Sequence, residues 1–113
     1  DSAVILNLAN TYVEAKKGEA AVALLTRYLQ KHPESVIAHD LLVKGYLMTK
    51  NKCQAHQTQA KYFMLHGLYQ EASSQLTDAL RICKGTETDR VRAQFKNLST
   101  LRDFDENMKK KDR

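Results

Sequence analysis

The residues KYFMLHGLYQEASSQLTDAL, at positions 61–80, repeat a pattern already present upstream, and this repetition constrains the chain more than any single side chain does. A shift of 51 residues maps Ala9 onto Ala60, Tyr12 onto Phe63, Ala21 onto Ala72, Leu25 onto Leu76 and Leu29 onto Leu80. A shorter shift of 34 maps Leu8 onto Leu42, Tyr12 onto Tyr46 and Ala21 onto Ala55. Small and large apolar residues at helical spacing, recurring with such a period, mark helical units that bury their apolar faces against one another. The repetition therefore concerns shape rather than chemistry.

Thirty-four residues is the length of a tetratricopeptide repeat, and positions 5–33 resemble one such unit. Leu8, Ala9 and Tyr12 fall on its first helix, Gly18 near its turn, Ala21 and Leu25 on its second helix, and Pro33 closes it. Tyr28 departs from the pattern, which prefers alanine there. The longer shift of 51 is one and a half units, so the register slips by one helix. Residues 54–67 then satisfy both the second helix of one unit and the first helix of the next. The expected fold is all-α: a right-handed solenoid of about six antiparallel helices in three pairs, forming one domain over positions 1–113. The helices are expected near 2–16, 19–31, 35–49, 52–65, 69–83 and 87–109, the last a long C-terminal cap. Gly18, the segment 32–35, Asn51, Gly67 and Gly85 supply the turn signals, Ser35 an N-cap, and Thr86 with Asp89 a capping-box-like start. The third helix is apolar almost all round and is placed centrally. In the last helix Val91, Phe95, Leu98, Leu101, Phe104 and Met108 make one stripe.

Composition narrows the function classes. The chain has 113 residues, 42% of them hydrophobic, with one proline and no tryptophan, which suits a single helical domain with a modest core. Its apolar runs are too short to cross a membrane. It begins without a methionine and reads as a fragment of a longer protein. The net charge of +5 owes much to the final KKKDR, a candidate nucleic-acid footprint. Acidic residues are nevertheless spread along the chain and the tail lacks aromatic residues, so a solvated helix end is the preferred reading and no nucleic acid is expected. A basic nucleic-acid-binding solenoid would need a contiguous basic face.

No residues are expected to be catalytic, to bind a cofactor or to hold a metal. HExxH, GxSxG, Walker and GxGxxG signatures are absent, and His32, His39, His56 and His66 lack ligand spacing. The first helices of stacked pairs line a concave face, and helical spacing places Leu6, Asn10, Val13, Leu41, Lys44, Met48, Lys61 and Met64 there as a candidate partner-binding groove. The alternative is that its apolar members simply pack against neighbouring helices. Cys53 and Cys83 lie at the far ends of the fourth and fifth helices, nearly equidistant from the turn at Gly67. Folding about that turn brings them level. In an oxidising compartment the pair could close, whereas in the cytosol it would remain two small buried thiols.

The order HDLLVKGYLMTKNKCQAHQTQAKYFMLHGLYQEASSQLTDAL, a polar turn, and then DRVRAQFKNLSTLRDF resembles the C-terminal repeat region of BepA-like (YfgC-like) periplasmic zinc metallopeptidases. The positions that carry the resemblance are Tyr62, Gly67, Ala72, Leu76, Arg90, Ala93, Leu98 and Leu101, together with the half-repeat slip. The resemblance covers about two-thirds of the chain. It implies a parent protein with a zinc peptidase domain elsewhere, so zinc belongs to that domain and not to these residues. It also implies a periplasmic location and protein partners: outer-membrane β-barrel clients, their assembly machinery, or the parent's own peptidase domain. A rival reading is a cytosolic co-chaperone module that clamps the carboxylate at the end of a heat-shock protein. Here Asn10 fits that clamp, but Leu6 and Leu41 occupy its other helix positions and only Lys61 suits its basic pair.

Overall fold

A computed structural model describes residues 1–111 of the chain. Six α-helices account for nearly all of them: α1 (Ser2–Glu14), α2 (Gly18–Lys31), α3 (Val36–Met48), α4 (Lys52–Leu65), α5 (Tyr69–Ile82) and α6 (Thr86–Lys111). Each helix packs against the next in sequence, and two further pairs touch, α1 with α3 and α4 with α6. The molecule measures 48 × 34 × 19 Å, and its short dimension is about two helix diameters.

The helix ends follow from local chemistry. Asp1, Ser35 and Asn51 cap α1, α3 and α4 by accepting backbone N–H groups of Ala3, Ala38 and Gln54 at 2.9, 3.2 and 3.1 Å. Three corners share one design. At the end of α1 Lys16 is left-handed at φ 62°, and the Lys17 and Lys16 N–H groups donate back to the carbonyls of Tyr12 and Val13. The end of α3 repeats this, with Lys50 at φ 60° and N–H bonds from Asn51 and Lys50 to Tyr46 and Leu47. So does the end of α4, with Gly67 at φ 71° and bonds from Leu68 and Gly67 to Phe63 and Met64. These paired bonds are Schellman turns. The α2–α3 and α5–α6 corners are built differently. At the latter, Thr88 Oγ1 donates to the Cys83 carbonyl, while Asp89 pairs with Arg92 in place of a Thr86–Asp89 box.

The core is divided in two. Ala9, Ala21, Leu25, Tyr28, Ala38, Leu41 and Leu42 form one cluster among α1, α2 and α3. Ala60, Ala72, Leu76, Ala79, Cys83, Val91 and Leu98 form the other among α4, α5 and α6. The 51-residue shift thus has a structural meaning: Ala9 and Ala60, Ala21 and Ala72, and Leu25 and Leu76 are all fully buried at equivalent places in two three-helix groups. Tyr28 is buried as well and stacks on His32, with ring centroids 4.5 Å apart. The groups join through α3 and α4. Gly18 makes the closest crossing within the first group: a Cβ there would lie 2.8 Å from Met48 Cβ and 3.1 Å from the Gly45 carbonyl oxygen.

The α6 stripe is only half covered. Val91 and Leu98 are buried, but Leu101, Phe104 and Met108 are 39, 63 and 44% exposed. Beyond the packed half, α6 projects past its neighbours, tied back by a hydrogen bond from the Tyr69 hydroxyl to the Asp105 carboxylate. Lys109, Lys110 and Lys111 occupy its last turn, where cations suit the helix dipole. The rest of the KKKDR tail, residues 112–113, lies outside the described residues.

Candidate functional site

Two grooves flank α3, and that helix forms the ridge between them. The first, a cavity of about 440 Å³, lies between α1 and α3. Leu6 and Asn10 line it from one side, and Ile37, Asp40, Leu41 and Lys44 from the other. Ile37 is 61% exposed, and Lys44 pairs with Asp40 at 3.5 Å across one helical turn. Asn10 donates to Glu14 at 3.3 Å.

The second groove, about 570 Å³, opens between the start of α3, the end of α4 and the middle of α6. Val36, Met64, Leu65 and Leu101 supply apolar walls, and Glu34, His39, Lys61 and Asn97 the polar groups. Two smaller cavities of about 270 and 390 Å³ share Pro33 as a wall with it, one over Leu42 and Thr58 and the other past Tyr28 and His32.

The candidate groove residues therefore divide. Leu6, Asn10, Leu41 and Lys44 come together in the first groove, while Lys61 and Met64 line the second. Val13 and Met48 are in neither. Val13 is buried in the α1–α3 core, and Met48 packs on that core where α3 crosses the start of α2. Helical spacing places them on the face of the ridge, but Gly18 lets α2 approach so closely that this part of the face is filled.

His39, Val36, Leu65 and Leu101 are site residues the groove set omits. His39 is buried at the floor of the second groove, with Nδ1–H donating to the Ser35 carbonyl at 2.7 Å. Burial pushes its imidazole below the usual value and nearby Lys61 adds to this, while the bond to Ser35 opposes it. The other histidines are engaged elsewhere: His32 stacks on Tyr28, His56 donates to Gln75 at 2.8 Å, and His66 lies against Tyr62. The signal for Leu101 was its place in the α6 stripe, which runs on past the end of the core.

A polar joint fixes α6, and with it one wall of the second groove. Glu87 Oε2 on α6 accepts from Gln54 at 2.8 Å and from Gln57 at 3.0 Å, both on α4, and Gln94 donates to Gln57 at 3.0 Å. Gln57 is 97% buried and its amide also lies 3.3 Å from the Cys53 sulfur. Cys53 and Cys83 form a disulfide with Cα atoms 5.1 Å apart, tying the start of α4 to the end of α5.

Among the described residues no helix is long and apolar enough to cross a membrane. Neither a protein-family model nor a curated protein sequence matches the chain.

Proposed function

We propose that the chain is a tetratricopeptide-like binding module that holds extended protein segments in the grooves flanking α3. The observation that carries this reading is the second groove, whose walls leave Leu65 and Leu101 well exposed around a buried histidine and an exposed lysine. Apolar walls with a few convergent polar groups are typical of binding sites. The three Schellman corners support the repeat architecture. Because α4 carries that corner at both ends, it closes one helical hairpin and opens the next, as a slip of half a repeat requires.

On the sequence resemblance, we place the module in a BepA-like periplasmic zinc metallopeptidase, where it would recruit unfolded outer-membrane β-barrel proteins or their assembly machinery. The Cys53–Cys83 bridge supports an oxidising compartment. In this reading zinc and peptide cleavage belong to a separate domain. The test is capture of a urea-unfolded outer-membrane β-barrel protein by the immobilised chain. Lys44→Glu with Ile37→Asp in the first groove, or Lys61→Glu with Leu101→Asp in the second, should weaken capture at unchanged helicity. Full capture by both pairs would remove the grooves from consideration. Met48 is avoided because its contact with the start of α2 makes it a stability residue.

A further inference from the structure

We infer that the groove between α3, α4 and α6 recognises an acidic side chain set beside large apolar residues within an extended partner segment. The inference rests on the binding-module reading and specifies what that module selects.

Lys61 is the groove's one cation, and it has no carboxylate within ion-pairing distance among the described residues. It shares both the main cavity and the neighbouring one over Leu42 with His39. The Ser35 carbonyl can only accept, so it holds the His39 proton on Nδ1 and leaves Nε2 uncommitted. A carboxylate placed against Lys61 would neutralise it and favour a second proton on the imidazole, giving the anion two cationic partners. Glu34, on the α2–α3 connection, is the one acid in the lining, and it opposes a ligand carboxylate from the rim. Met64, Leu65 and Leu101 receive apolar neighbours of the acidic residue and exclude water from the pair.

The carboxylate is a side chain rather than a chain end because the groove is open and has neighbouring cavities beyond Pro33. Pro33 and Glu34 are walls of both this groove and the cavity past Tyr28 and His32, and exposed Leu101 and Phe104 lie on α6 at the other side. A segment can therefore run through without terminating. Anion binding is then linked to proton uptake, and affinity rises as pH falls through the imidazole range.

The test uses the full chain, labelled with ¹⁵N, titrated with an acetylated and amidated Ser-Leu-Glu-Phe-Ser peptide and with its Gln counterpart. A third peptide keeps Gln but ends in a free carboxylate. The Glu peptide should bind about fivefold more tightly than the Gln peptide, as for an ion pair worth up to about 1 kcal/mol. Amide shifts should centre on residues 34–39, 61–65 and 97–101. The preference should be larger at about pH 5.5 than at about pH 8, and should vanish in Lys61→Gln, whose exposed position leaves the fold intact. Equal affinities, or a Glu preference that survives Lys61→Gln, overturn the inference. So does a free-carboxylate peptide that binds best, since the site then reads chain ends. Equal binding of Glu and Gln peptides in this groove would reject the carboxylate while keeping the binding module. No saturable shift from any peptide up to roughly 1 mM would reject the inference alone, and the barrel-capture test would still decide the module.

Discussion

Lys50 and Gly67 hold the same left-handed backbone conformation at opposite ends of α4, one preceding the helix and one following it, with φ of 60° and 71°. Each ends a helix by the same pair of backward hydrogen bonds. Glycine adopts that conformation freely, whereas in lysine the Cβ crowds the following carbonyl.

Replacing Lys50 by glycine should therefore stabilise the fold by about 0.5–1 kcal/mol, the left-handed strain relieved less the entropy glycine loses. Gly67→Ala should cost about 1 kcal/mol although no atom beyond its own chain neighbours lies within 4 Å of the added methyl group. Chemical denaturation decides both through a shifted midpoint at constant slope. A stabilising Gly67→Ala would show that the turn is not what holds this corner.

Gly18 and Gly45 face each other across the α2–α3 crossing, yet they should respond differently. At Gly18 an added Cβ meets Met48 Cβ and the Gly45 carbonyl oxygen, atoms fixed to the α3 backbone. Gly18→Ala should lose about 1–3 kcal/mol, more than the helix-propensity gain of under 1 kcal/mol near a helix end. Gly45→Ala is tight only against a Val22 methyl, at 3.0 Å, with Ala21 Cβ and the Gly18 carbonyl at an ordinary 3.6 Å, and gains about 1 kcal/mol of propensity within α3. Its net effect should lie within about 1 kcal/mol of zero. The pair of thermal midpoints checks this, and equal losses would contradict it.

Removing the disulfide through the Cys53→Ala, Cys83→Ala double variant should cost about 3–4 kcal/mol, the loop-closure value for the cysteines' separation of 30 residues. Hydrogen exchange should report the loss most strongly at the start of α4 and the end of α5. A variant as stable as the parent would mean that helix packing alone holds these ends level.

Stability should fall with acid in a window set by His39. Its folded imidazole lies below the unfolded value of about 6.5. Between the two values the unfolded chain binds more protons, so stability rises with pH there and is complete above the unfolded value. His39→Gln should flatten the change in melting temperature between about pH 5 and pH 7.5. An unchanged slope would assign the acid sensitivity to other groups.

Much of this fold was written in the spacing. Three of the alanine and leucine pairs repeated by 51 residues, Ala9/Ala60, Ala21/Ala72 and Leu25/Leu76, became fully buried pairs of two three-helix groups, whereas Leu29 and Leu80 stay partly or well exposed. The turn signals at Asn51, Gly67 and Gly85 lie at helix ends. The corners at Lys16 and Lys50 were not legible, because lysine carries no signal for a left-handed residue. Gly18 announced a turn, but its effect is a close helix crossing, which depends on a residue 30 positions later. That crossing also partly covers Met48, so equal spacing along α3 does not give equal exposure. The α6 stripe located an apolar face but could not show where its cover stops, since this depends on the length of α5. His39 offered no pattern at all; its neighbours come from three separate segments.

The bond between Cys53 and Cys83 closes the chain into a covalent ring that contains most of α4, the corner at Gly67 and all of α5. That corner is exposed and is the natural place for a protease to cut. A single cut there opens the ring without releasing anything: the product keeps its full mass plus one water, and both ends remain joined through the sulfurs. Fragments would separate only after reduction. A groove whose α4 and α6 walls spring from this ring can thus survive a nick in the backbone that supports it.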